Sequence, residues 1–156
     1  MAAFILLSLP TPGQETANEV NLPLYAGKWH VIAFIPTPFD RNWKEIVEDY
    51  SVDAKGELHI STSYRKNSKT HSLRGKGFVD RTSGNSKWKV QYLWPFKADY
   101  WIIEVADDYT YAVVGHPKKK FLYILSRTPH MKSELYDGIV ERCRKRGYDM
   151  SKLRKA

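Results

Sequence analysis

Cysteine is nearly missing from this chain: Cys143 is the only one in 156 residues. No internal disulfide can form, and no cysteine-based zinc site, so packing and the backbone hydrogen-bond ladder must hold the fold. Long apolar runs are scarce as well. Ala2 to Leu9 is apolar but too short to span a membrane. No basic residue precedes it and no small-x-small cleavage site follows, so residues 1–20 are read as a leader, either an export remnant or a disordered segment. Residues 21–156 are read as one domain, since the length suits a single core and is too short for two. Histidine pairs are lacking too. The five His are dispersed, without the spacing that metal binding or general-base chemistry needs. No cofactor and no metal are expected.

What is present describes a folded protein. Hydrophobic residues make up 42% and charged residues 27%, far from the composition of a disordered chain. Aromatics reach 13%, led by ten Tyr, which suits strands around an apolar interior that offers occasional hydroxyls. The net charge of +8 admits nucleic acid, an anionic membrane surface or plain solubility as explanations. Its clusters, Lys118-Lys119-Lys120 and Arg142 to Lys155, read most simply as solvated faces.

From about residue 21, short strand patterns recur between turn signals. They run Lys28 to Ile35, Glu45 to Val52, Leu58 to Tyr64, Ser72 to Val79, Trp88 to Trp94, Tyr100 to Val105, Tyr109 to Gly115 and Phe121 to Arg127. A longer aromatic loop, Pro36 to Trp43, follows the first; tight turns such as Asp53-Ala54-Lys55-Gly56 join most of the others. Consecutive strands so joined pair antiparallel, and closing them removes the exposed edges. The period then changes. Ser133 to Arg146 carries Leu135, Ile139 and Cys143 at steps of four, an amphipathic helix stopped by Gly147. The predicted fold is all-β: an eight-stranded antiparallel up-and-down barrel with one C-terminal α-helix packed on the outside.

Three motifs give the chain a family resemblance. Gly27-Lys28-Trp29 stands at the first strand, Ala106-Asp107-Asp108-Tyr109 at a late turn, and Tyr123-Ile124-Leu125-Ser126-Arg127-Thr128-Pro129 on the last strand. In order and spacing they resemble the lipocalin motifs, most closely those of bacterial lipocalins and the apolipoprotein D branch. The second departs from the pattern, with Ala106 in place of a Thr and its Tyr displaced. The resemblance implies that Arg127 lies over Trp29 to close one end of the barrel, a cation–π contact. Gly27, Trp29, Asp107 and Arg127 are thereby structural. It also implies a lipid-binding carrier or storage protein, holding a fatty acid, a lysophospholipid or a similar small hydrophobic ligand.

Strand alternation then proposes the pocket wall. Ala33, Ile35, Tyr50, Thr62, Val90, Tyr92, Trp94, Tyr100, Ile102 and Tyr123 are the predicted ligand-binding residues, with Phe39 near the mouth and Lys97 a candidate partner for an anionic head group. The competing expectation is that these aromatics fill the barrel and leave no cavity. Glu48 shares the parity of Tyr50, and Glu104 that of Ile102, where the family tends to have small residues. A buried, unpaired carboxylate is costly and tends to protonate, so each needs a cationic partner or a slipped register.

Catalysis is not expected. A few lipocalin relatives are isomerases and one uses a pocket cysteine, but Cys143 falls on the helix stripe, and Asp107-Asp108 reads as a turn rather than a catalytic pair. A basic nucleic-acid-binding barrel is the other alternative, and the motifs argue against it. The expected location is the cell envelope, periplasmic or outer-membrane-associated, if the chain is exported, and the cytoplasm if the N-terminal segment is not a signal.

Overall fold

The computed structural model describes residues 15–156. Most of the leader proposed above lies outside the described residues; its last part does not. Residues 15–20 lie across one end of the barrel, where the Ala17 N–H donates to the Ile102 carbonyl and the Val20 N–H to the Gly84 carbonyl. Val20 is fully buried. A single helical turn follows, α1 (Leu22–Tyr25), capped by the Asn21 side chain accepting from the Leu24 N–H.

Eight strands come next: β1 (Gly27–Ile35), β2 (Lys44–Val52), β3 (Leu58–Lys66), β4 (Lys69–Asp80), β5 (Lys87–Leu93), β6 (Phe96–Val105), β7 (Tyr111–Gly115) and β8 (Leu122–Ser126). Each pairs antiparallel with the next, and β1 pairs with both β2 and β8, which closes the barrel. Helix α2 (Ser133–Lys145) follows, and a two-residue strand, β9 (Arg154–Lys155), completes the sheet. The strand patterning did not predict β9. It pairs with Ala33 and Phe34 of β1, beyond the point where β2 stops pairing, so it covers an edge that would otherwise be open.

Two β-bulges correct the predicted facing. In β1 the register shifts between Val31 and Ala33. An extra residue reverses the alternation beyond it, so Trp29, Val31 and Phe34 point into the barrel while Ala33 and Ile35 point out beneath α2. In β6 the register shifts between Ile102 and Glu104. Ile102 stays inside, and Glu104 turns outward to the Arg142 guanidinium of α2, whose Nη2 lies 2.6 Å from it. Tyr111 also donates to Glu104, at 2.9 Å. Both escapes open to Glu104, a partner and a slipped register, therefore occur together.

The core has two parts. One fills the barrel; the other lies between the sheet and α2, where Ile139 and Cys143 are fully buried against Leu122 and Ile124. The helix stripe is shifted from the predicted one: Leu135 is exposed, and Tyr136 and Val140 pack beside Ile139 and Cys143 against the sheet. Burial pushes the Cys143 thiol up to about 12, so it remains a thiol at neutral pH.

Candidate functional site

Aromatic packing closes one end of the barrel. Gly27 adopts φ +96°, open to glycine at little cost, and so brings β1 round beneath Arg127. The Arg127 guanidinium carbon lies 3.7 Å from the centroid of the Trp29 ring. Its nitrogens donate to the carbonyls of Leu24 at 2.6 Å, Lys28 at 3.0 Å, Tyr109 at 3.1 Å and Tyr25 at 3.3 Å. Trp29 in turn donates to the Tyr25 carbonyl at 2.8 Å. In the second motif the turn is held by Asp108, which accepts from the Thr110 N–H and hydroxyl, while Asp107 is exposed.

Above this floor lies a layer of tyrosines. The Tyr100 hydroxyl is 2.9 Å from that of Tyr25 and 2.6 Å from that of Tyr50, so one buried chain links three hydroxyls. Trp88 stacks on Tyr100 with ring centroids 5.1 Å apart. Burial raises all three hydroxyls well above the ordinary tyrosine range, so they are neutral.

Over the tyrosine layer a cavity of about 400 Å³ opens to the far end of the barrel. That volume suits a small molecule or a single lipid chain. Of the predicted residues, Tyr50, Val90, Tyr92, Tyr100 and Tyr123 line it. Thr62 is buried just behind the wall, tied to Glu48 and Tyr92. Ile102 is interior but fully packed and does not line the cavity. Trp94 does not line it either: 81% exposed, it stands in the β5–β6 turn beyond the end of the alternation that placed it inside. Ala33 and Ile35 lie under α2, as the β1 bulge requires.

The loop between β1 and β2 supplies wall that periodicity could not place. Asp40 is buried and accepts from the Thr37 N–H at 2.7 Å, from the Thr37 hydroxyl and from the Tyr123 hydroxyl. Trp43 stacks on Tyr64 at 3.6 Å between centroids, and Phe39 meets Trp43 at the rim. Gly75 of β4 gives Tyr92 its place. A Cβ there would stand 2.9 Å from the Tyr92 ring and from the Gln91 carbonyl oxygen.

Glu48, at the middle of β2, lines the cavity just above the tyrosine layer. Its Oε2 accepts from the Thr62 hydroxyl at 2.7 Å, and Tyr92 lies 2.9 Å from that same hydroxyl. Burial, reinforced by the negative charge of Asp40, pushes the Glu48 carboxyl up to about 7 against the opposing pull of Thr62 and Tyr92. Lys97 also borders the cavity, but its ammonium lies 3.8 Å from the Phe78 ring centroid, and Phe78 is on the exposed side of β4.

The profile of the Lipocalin-like domain family matches residues 20–156. This chain belongs to the lipocalin family. It is 32% identical over 150 residues to temperature-induced lipocalin-1 of Arabidopsis thaliana, covering 90% of this lipocalin and 81% of that protein. It is 29% identical over 158 residues to the outer membrane lipoprotein Blc of Escherichia coli, covering 97% of this chain and 89% of that one. Among solved structures, insecticyanin from the tobacco hornworm Manduca sexta superposes with a TM-score of 0.74 at 21% identity, over 90% of this chain and 82% of that one, which shows the shared fold.

Elsewhere, Asp53, Glu57 and His59 bring ligand-type atoms within 4.8 Å of one another at the β2–β3 turn, on the surface at the closed end. Asp53 is already occupied there by the Lys55 and Glu57 N–H groups and by His59.

Proposed function

We propose that this lipocalin is a carrier or storage protein for a single-chain amphiphile, a fatty acid, a lysophospholipid or a similar lipid, collected at a membrane surface in the cell envelope. The observation that carries the reading is the cavity: about 400 Å³, walled mainly by Ile46, Val90, Leu125 and aromatic rings, sealed below and open above. Such a shape removes a hydrocarbon chain from water while leaving a place for one polar end. Binding without catalysis suits the buried Cys143, which faces the sheet from α2, on the other side of the sheet from the cavity.

The open end supports a membrane contact. Leu93, Trp94 and Phe96 are 69%, 81% and 71% exposed at the β5–β6 turn, and Phe39 is 65% exposed across the opening. Exposed aromatics in such a group suit a lipid interface. Lys44, Lys69, Lys97 and Lys118 stand exposed at strand ends or turns on the same side, a charge that favours anionic lipid. The cell-envelope location draws on the bacterial relatives, which are named as outer membrane lipoproteins.

Native mass spectrometry of the purified protein, with extraction and identification of whatever copurifies, tests the carrier reading. A bound single-chain lipid at one copy per protein is the expected result. Failure to retain any lipid, together with failure to bind fluorescent single-chain probes of every head-group charge, rejects it.

A further inference from the structure

The inner end of the cavity has hydrogen-bond acceptors and hardly any donors. Thr62 has one hydroxyl proton, and Glu48 takes it. Tyr92 touches both Thr62, at 2.9 Å, and the Glu48 carboxyl, both of which are acceptors toward it, so its one proton is spent as well. The Tyr123 proton goes to Asp40. Tyr25, Tyr50 and Tyr100 share two contacts among three hydroxyls, leaving one proton to spare. What faces a ligand there is the Glu48 carboxyl and the lone pairs of Tyr92 and Tyr123.

Among the described residues no cation offsets this: neither Glu48 nor Asp40 has a lysine, arginine or histidine within ion-pair distance. The inward side of β4 offers Leu73, Gly75 and Gly77; that of β7 offers Ala112 and Val114. Trp29, Val31 and Phe34 face in from β1, Trp88 and Val90 from β5, and Phe121 and Leu125 from β8 and its approach. Arg127 is spent beneath Trp29, and Arg154 lies over Phe34 while donating to the Trp43 carbonyl at the rim. Lys97 is drawn to the outer face by Phe78.

Resting on the carrier reading, we propose that the inner end of the cavity is a head-group subsite, centred on Glu48, which takes a protonated amine, so that the preferred ligand is a long-chain alkylammonium rather than a fatty-acid anion. The ammonium supplies three donors and a positive charge to a site that has acceptors and a carboxylate. The alkyl chain then runs up past Val90 and Leu125 toward Leu93 and Phe96. A carboxylate head in the same place meets Glu48 and Asp40 with no donor to receive it.

The sign of the pH dependence follows from Glu48. Above neutrality the group is ionised and attracts the ammonium; as pH falls through about 7 it becomes protonated, loses that attraction and gains an O–H that can serve an anion. Amine affinity should fall with acidification and fatty-acid affinity should rise.

Calorimetric titration of dodecylamine and dodecanoate below their micelle-forming concentrations, and of dodecanol below its solubility limit, separates the cases. At about pH 8 the amine should bind at least about tenfold more tightly than dodecanoate, the ratio expected of one charge-assisted hydrogen bond in a dry site. The ratio should shrink at about pH 5.5, where Glu48 is protonated. Glu48→Gln should abolish the preference at both pH values and leave dodecanol binding within about threefold. Dodecanoate binding as tightly as the amine at the higher pH overturns the inference while leaving the carrier reading intact. So does an amine preference that survives in Glu48→Gln. Binding of none of the three overturns the carrier reading and the inference together.

Discussion

The two ends of the barrel are built from the same kinds of residue and come out as opposites. At the closed end Trp29 has no exposed surface, its indole N–H is satisfied by Tyr25, and Arg127 lies flat on its face. At the open end Trp94 is 81% exposed. Hydrophobicity does not distinguish them. What differs is the chain that crosses the opening: residues 15–25 run across the floor and bond to Ile102 and Gly84, whereas the β1–β2 loop reaches only one side of the mouth. A closed end stores stability and an open end stores binding capacity, and substitutions at the two ends should separate those quantities.

The largest effect is expected at the floor. Arg127→Ala removes a cation–π contact and four charged hydrogen bonds to carbonyls of α1, β1 and the β6–β7 turn. Together these should cost roughly 2–4 kcal/mol, discounting for the overlap between the contacts. Urea unfolding measures the loss, and titration with a fluorescent lipid probe should show a dissociation constant within about threefold of the parent. Unchanged unfolding with abolished binding would reverse the roles assigned to the two ends.

A smaller effect, dependent on pH, is expected just above the floor. The Glu48 carboxyl is raised from 4.5 to about 7 in the folded protein, so folding takes up a proton between those values. Its contribution to stability is complete below about pH 4.5 and is lost as pH rises through about 7, leaving a cost on the order of 2 kcal/mol in mildly alkaline solution once contact with cavity water is discounted. Glu48→Gln keeps an acceptor for Thr62 and carries no charge to desolvate. Its melting temperature should exceed the parent's at about pH 8 and match it at about pH 4.5. Parallel melting curves across that range would show that Glu48 is well solvated, and would erase the polarity of the inner end.

What the sequence made legible, and what it hid, follows the same division. The strand order and the late helix could be read because alternation is a local pattern that survives folding unchanged, whereas the Trp29–Arg127 floor was legible only through the family resemblance that the three motifs carry. Tyr50, Tyr100 and Tyr123 could be placed inside by parity alone, since no bulge lies between them and the residues from which the count began. Ala33 and Ile35 could not, because one extra residue at the β1 bulge turned them outward, and no glycine or proline marks that bulge. Trp94 was misplaced for another reason: the strand ended before it. Asp40 lies in a loop, where periodicity has nothing to say, and it reaches the wall only through Thr37 and Tyr123. Glu48 was visible as an anomaly, but its lack of a cationic partner is a fact of three dimensions.

At the mouth the expected change in stability is smallest and the expected change in association is large. Trp94 and Phe96 touch mostly solvent, so replacing both with serine should alter unfolding free energy by less than about 0.5 kcal/mol. If the mouth meets lipid, each ring loses a buried apolar contact worth roughly 1–2 kcal/mol at the interface, and the double variant should cosediment about tenfold less with vesicles containing phosphatidylglycerol. Raising salt should weaken the parent's binding further, since Lys44, Lys69, Lys97 and Lys118 act through screened charge. Ligand already delivered in solution should bind the double variant only a few-fold more weakly, because Phe96 borders the outer cavity, and with the same head-group preference, because neither Glu48 nor the tyrosine layer has moved. Equal sedimentation of parent and variant would leave the open end as an access route to the cavity and nothing more, and the contrast between floor and mouth would then be one of packing alone.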